Sequence, residues 1–225
     1  MGLKLIVRAL VGEVRKSARF WYDLFRPVQI KGKSNEIKLF SPLTNHSTLR
    51  VRGENNYIYI GRNAIVSSTH ISVTGDNCTL LIGDHVRFYS GGISVSGKNS
   101  VIKIGEYTSV RQADLTAYES GDVIDIGPAC MFSYKVVIRT SDAHPIFDEA
   151  GKRINTSKPI HIGRDVWLGY GATVLKGCTI GEGAVIGYGS ICTHEIPARC
   201  VAAGIPAKVV KENITWTRNL TRDEE

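Results

Sequence analysis

His144 is the residue of this chain best placed to do chemistry. It stands in Ser141-Asp142-Ala143-His144-Pro145-Ile146, at the base of a polar stretch, residues 141–159, that has no apolar rhythm of its own. An imidazole titrates at about pH 6.5, which suits a base that must draw a proton from a weakly acidic hydroxyl as the oxygen attacks. Asp142 is a candidate for holding that ring in one tautomer, although two neighbours along a strand need not touch. The plainer alternative is that His144 caps a turn ahead of Pro145 and meets no ligand. The other five histidines, at 46, 70, 85, 161 and 194, form no metal-ligand pair five residues apart, and no carboxylate cluster replaces them, so no metal is expected. Five cysteines, at 78, 130, 178, 192 and 200, include no C-x-x-C pair; Cys78, Cys130, Cys178 and Cys200 have no partner His nearby, and Cys192 falls on the inward hexapeptide phase, where core packing accounts for it better than nucleophilic catalysis does.

The elements that must position His144 repeat. Ile-Gly recurs at 60–61, 82–83, 104–105 and 126–127, each pair 22 residues after the last. Ile58, Leu80, Ile102 and Ile124 keep the same register, as do Val66, Phe88, Val110 and Phe132, and then Ile71, Ile93, Leu115 and Val137. Residues 32–52, with Ile37, Leu39, Leu49 and Val51, read as a first copy one residue short. After residue 159 the period tightens to six, through Ile162-Gly163, Leu168-Gly169, Val174, Ile180-Gly181, Ile186-Gly187 and Cys192. Such a period fits neither a heptad nor a βαβ unit. It suits short strands that each point one aliphatic residue inward before a turn, stacked so that their backbones pair in parallel. The expected fold is all-β, a parallel β-helix in which the 22-residue coil is the 18-residue coil with about four extra residues at one corner. Residues 141–159 are the loop that this solenoid ejects, the kind of place where a repeat protein binds something.

The hexapeptide run, with Ser141-Asp-Ala-His144-Pro-Ile and Asp165-Val-Trp167-Leu-Gly-Tyr170-Gly, resembles the hexapeptide-repeat O-acetyltransferases, in the bacterial branch that acetylates sugars and surface polysaccharides. The resemblance covers residues 53–211 and implies a left-handed β-helix of triangular section, which the period alone does not give. It implies acetyl transfer from acetyl-CoA to a hydroxyl of a sugar or of a capsule or O-antigen type polysaccharide. His144 would be the general base and the backbone N–H of Tyr170 the oxyanion donor, with Gly169 letting the cofactor come close. Trp167 would be a wall for the sugar or the pantetheine arm, or else a shield over the next coil. Gly187-Tyr188-Gly189 and the stretch from Val201 to Lys211 resemble the coenzyme A segment, with Lys208 and Lys211 meeting phosphates or standing as a solvated edge. His194 stands where the family carries a lysine. The resemblance also implies a threefold homotrimer with the site between subunits.

Composition agrees with one main domain: 225 residues, 43% hydrophobic, with 23 Gly against 7 Pro and 2 Met, argue for many tight corners and against a helical bundle. The net charge of +7 gathers at the ends and suits an anionic partner or a solvated basic surface. No recognition-helix, zinc-finger or RNP signature accompanies it, so nucleic acid is not the expected partner. Residues 1–29 are expected to form an amphipathic helix, with Leu3, Val7, Leu10, Val14, Ala18, Trp21 and Phe25 on one stripe, which either caps the first coil or touches an anionic membrane through residues 3–26. Residues 30–211 would be the acyltransferase domain and 212–225 a polar tail or short helix. Unpaired cysteines, no membrane-span-length apolar run and no cleavable leader place the chain in a bacterial cytoplasm, with the inner membrane face as an alternative. The rival function is a non-catalytic β-helix that scaffolds or binds.

Overall fold

Aliphatic residues recurring at a fixed interval are buried only if each copy stacks on the last. The computed structural model describes residues 28–219, and the amphipathic helix expected over residues 3–26 lies outside them. The described residues contain no helix and wind as a left-handed parallel β-helix of three faces. The first face has eight strands, from Val28–Lys31 to Ile191–Cys192; the second has seven, from Glu36–Leu39 to Thr179–Ile180; the third has nine, from Leu43–Thr44 to Ala207–Lys211. Successive coils pair in parallel, and the solenoid ends in an antiparallel hairpin of Val201–Gly204 with Ala207–Lys211.

Three aliphatic columns run the length of the prism. The second face stacks Ile58, Leu80, Ile102, Ile124 and Ile160. The third stacks Val66, Phe88, Val110, Phe132, Leu168, Ile186 and Ala202. The first stacks Leu49, Ile71, Ile93, Leu115, Ile138, Val174 and Cys192. All are buried, and each large aliphatic contributes about 1.5–3 kcal/mol relative to exposure. The short first copy is there too, with Ile37 against Ile58 and Leu39 against Ile60.

One register differs from the 22-residue reading. Leu115 faces Ile138 and not Val137, which points outward. The cause is one added residue between the third and first faces. Two residues, Arg111 and Gln112, join Val110 to Ala113, but three, Ser133 to Lys135, join Phe132 to Val136. Lys135 takes up the surplus with φ 58, and Gly171 and Gly189 fill its place in the next coils with φ 68 and 64. Four extra residues per wide coil are therefore the net of a longer first side and a shorter corner. Ile104 follows Ile93 by eleven residues where Ile180 follows Val174 by six, and Ile93 follows Phe88 by five where Val174 follows Leu168 by six.

The longer side carries strands of eight residues, Thr69–Asp76 and Gly91–Lys98, each pointing two aliphatics inward. They end at a glycine ladder so tight that a Cβ on Gly75 would stand 1.7 Å from the Gly97 carbonyl oxygen. Past those glycines a column of buried polar residues satisfies the turning backbone. Asn56 donates to the Gly75 carbonyl at 2.8 Å, Ser100 donates to the Glu119 carbonyl at 2.8 Å, and the Asp122 carboxylate accepts the Tyr118 and Glu119 N–H groups at 2.9 and 2.8 Å. This corner leads directly into the loop.

Candidate active site

The loop, residues 141–159, leaves the first face after Val136–Arg139 and rejoins the second at Ile160–Ile162. It folds back on itself as a hairpin, with Phe147 bridged to Arg153 and the Ile154 N–H donating to the Ile146 carbonyl at 2.9 Å. From the wide coil below, the Glu119 carboxylate takes both Arg153 Nη groups, at 2.8 and 2.6 Å, and the Ser141 hydroxyl at 2.5 Å. Thr140 donates to Asp122 at 2.5 Å. From the narrow coil above, Lys176 Nζ bonds the Asp142 carboxylate and, at 3.1 Å, the Asn155 carbonyl. The guanidinium of Arg153, and then the Ser141 hydroxyl, hold Glu119 below the usual carboxylate range. Lys176, and then Asn155, do the same for Asp142. Both carboxylates are therefore anionic at neutral pH and tie the loop to two coils.

His144 sits inside this clamp with its side chain exposed. Its N–H donates to the Asp142 carbonyl at 2.8 Å and its carbonyl accepts from Asn155 Nδ2 at 2.8 Å. Ala143, before it, takes φ 67. No hydrogen bond joins the Asp142 carboxylate to the imidazole; its Oδ2 accepts from both Lys176 and Asn155.

Trp167, Gly169 and Tyr170 lie elsewhere on the same chain. Trp167 points outward from the third face between Met131 and Val185 and is 36% exposed. The segment after the closing hairpin returns across this face without forming a helix over residues 212–219. Trp216 packs tilted on Trp167 with ring centres 5.7 Å apart and donates to the Asp165 carbonyl at 2.9 Å. Arg218 donates to the Ala129 and Cys130 carbonyls at 2.7 and 2.8 Å.

Gly169 packs too closely on the next coil for a side chain, since its Cβ would lie 2.7 Å from the Ile186 carbonyl oxygen. Its N–H and that of Gly171 each donate at 2.8 Å, to Ile186 and Tyr134, while the Tyr170 N–H between them bonds no described residue. Tyr170 and Tyr188 stack at 5.0 Å with Lys135 Nζ 5.4 Å from the Tyr170 ring centre, and Tyr188 is 77% exposed. Gly187 and Gly189 flank Tyr188 at this corner, and Lys208 and Lys211 stand exposed on the last strand of the third face. All five cysteines are buried and unpaired, and burial pushes the Cys130 thiol up to about 12, so none is presented as a nucleophile.

Within one chain these groups fall into two sets. The loop with His144 leaves the corner between the first and second faces, whereas Tyr170 and Tyr188 occupy the corner between the third and first. Asn155, Glu119, Arg153 and Lys176 were not singled out from sequence. In the loop Arg153 and Asn155 stand among Asp148, Glu149, Lys152 and Lys158, and residue type alone does not set them apart.

The hexapeptide family described as "Bacterial transferase hexapeptide (six repeats)" matches residues 159–194. A polysialic acid O-acetyltransferase of Neisseria meningitidis is 38% identical over 193 residues, which is 84% of this chain and 89% of that protein. One from Escherichia coli O1:K1 / APEC is 52% identical over 96 residues, 42% of this chain and only 31% of that longer protein. The crystal structure of the polysialic acid O-acetyltransferase OatWY superposes with a TM-score of 0.78 at 34% identity, covering 88% of this chain and 94% of that one. With the coil geometry, these similarities establish that the chain belongs to the hexapeptide-repeat acyltransferases, in the branch of the bacterial polysaccharide O-acetyltransferases.

Proposed function

We propose that the protein transfers acetyl from acetyl-CoA to a hydroxyl of an anionic bacterial surface polysaccharide, of the polysialic acid kind named for its relatives, with His144 as general base. The observation that carries this reading is the loop: a polar excursion from a closed prism, bonded to the coils on both sides, that leaves one imidazole facing outward. A net charge of +7 suits an anionic acceptor.

Neutral His144 takes the proton of the acceptor hydroxyl as its oxygen attacks the thioester carbonyl carbon. The carbonyl electrons move onto oxygen, and the N–H of Tyr170, which bonds no described residue, donates to that oxyanion. Collapse restores the carbonyl, breaks the C–S bond and releases the coenzyme thiolate, which recovers the proton from His144. Trp167 and its cover Trp216 supply apolar surface for a ring or the pantetheine arm. Gly169, Gly187 and Gly189 keep the corner low for the donor beside Tyr188, and Lys208 and Lys211 meet its phosphates. Because the His144 and Tyr170 corners stand at opposite edges of the first face, the catalytic pair is best completed by a neighbouring chain in a threefold homotrimer. Five unpaired cysteines favour a reducing, cytoplasmic setting, and residues 3–26 are proposed either to cap the first coil or to touch the inner membrane face.

The test is thiol release from acetyl-CoA with polysialic acid set beside uncharged glycans, using a preparation weighed in solution. The expected particle is a trimer, and His144→Ala should lose about two to four powers of ten in kcat. Parent-like turnover by that variant, or an active monomer, would overturn the respective part of the proposal.

A further inference from the structure

We infer that Asn155 is the positioning residue of the site, holding the His144 backbone so that the imidazole meets the acceptor hydroxyl; the inference rests on the general-base reading of His144. The Asn155 carboxamide spans the segment on either side of His144. Its Oδ1 accepts the Ile146 N–H at 2.6 Å and Arg153 Nε at 3.4 Å. Its Nδ2 donates to the His144 carbonyl at 2.8 Å and to the Asp142 carboxylate at 2.9 Å. These four bonds use the full capacity of a primary amide, two donors and two acceptor positions. The orientation is forced, because a flipped amide would set oxygen against a carbonyl and a carboxylate and set N–H against N–H. The residue is 8% exposed, so its amide has little access to water in place of these partners.

The consequence that matters for chemistry falls on His144. Its N–H is taken by the Asp142 carbonyl, its own carbonyl by Asn155, and Pro145 fixes the backbone that follows. The Cα is thereby held while the imidazole keeps its two side-chain torsions. Orientation in this loop comes from a residue eleven positions downstream, whereas Asp142 is spent on Lys176 and on Asn155 itself.

Asn155→Ala is expected to lower kcat by about 10- to 100-fold, the size expected for a reacting group displaced by about 1 Å, with KM for acetyl-CoA changed less than about twofold. Diethyl pyrocarbonate should still modify His144 in that variant, since the ring is present and only misplaced. Asn155→Asp keeps the acceptor for Ile146 and nearly the same volume but turns a carboxylate oxygen toward the His144 carbonyl and Asp142. It should lose at least as much, and because its repulsion falls on the loop and not on the stacked coils, the melting temperature of the coils separates this loss from a general failure to fold if the alanine variant folds poorly. Lys152→Ala, on the exposed hairpin turn, serves as the loop control.

The decisive measurement is the double variant. If Asn155 acts through His144, Asn155→Ala adds no loss to the residual rate of His144→Ala. A further loss of tenfold there would mean that Asn155 supports the protein generally, and the inference would fail. It would also fail if Asn155→Ala and Asn155→Asp both turned over within twofold of the parent while His144→Ala was inactive. Parent-like activity of His144→Ala would instead remove the general-base reading and leave the loop geometry standing.

Discussion

The wide coils, residues 53–140, and the narrow coils, residues 160–200, solve the same stacking problem with different side chains. In the wide coils two of the first-face strands, Thr69–Asp76 and Gly91–Lys98, run to eight residues, and Phe88 and Phe132 fill part of the larger section. In the narrow coils the strands are two or three residues long, Leu168 and Ile186 stand in the third-face column where the wide coils have phenylalanine, and the first-face column ends at Cys192. The loop stands where one section gives way to the other. Its anchors come from both sides of that step: Glu119 from the last wide coil and Lys176 from a narrow one. The step between the two sections is where the one long polar excursion among the described residues leaves the prism.

The largest effect that would sharpen this comparison comes from the corner glycines. Gly75→Ala, in a wide coil, forces a Cβ to 1.7 Å from a backbone oxygen at φ 146 and should cost more than about 4 kcal/mol, read as failure to fold or a collapsed melting temperature. Gly189→Ala, in a narrow coil, meets nothing within 4 Å at φ 64 and should cost only about 1–2 kcal/mol. Equal losses would mean that the two kinds of coil are bound by the same constraint. Next comes the shared third-face column. Phe88→Ala should cost about 3–5 kcal/mol and Ile186→Val about 0.5–1.5 kcal/mol by denaturant unfolding. A reversed order would break the argument that the wide section depends on its aromatics.

The smallest effect is the release of the loop by acid. Glu119 and Asp142 both have depressed folded pKa values, so their contribution is fully present above the ordinary carboxylate range and is lost as pH falls through the folded values. Amide protection of residues 142–155, corrected for intrinsic exchange, should therefore drop below about pH 4 before that of the coils does. Loop protection that is lost only together with that of the coils, however far the pH falls, would argue that these ion pairs do not hold it.

How much of this was legible follows from where the information resides. The aliphatic columns are written in residue type, so a period of 22 and then 6 reveals a parallel β-helix and its inward residues, while the triangular section came with the family resemblance. The slip at Lys135 is not, because Val136, Val137 and Ile138 are all aliphatic and hydrophobicity cannot say which of them points inward. His144 stood out by its place in the motif. Its supports did not, since Arg153 and Glu119 meet across 34 positions and the value of Asn155 lies in four bond directions that no residue type encodes. Asp142 looked like the natural partner of the imidazole by adjacency. A lysine from the coil above competes for it, and only three-dimensional stacking brings that lysine near.

A solenoid whose coils touch only their neighbours can fray from either end one turn at a time. The segment after the closing hairpin changes that arithmetic. Ile214 bonds Arg199, Trp216 bonds Asp165, and Arg218 reaches back to Ala129 and Cys130, so peeling away the last narrow turn also strips a guanidinium from the last wide one. Loosening at that end is coupled to loosening in the middle, which turns a zipper into a buckle and lets the far third of the prism open only as a unit.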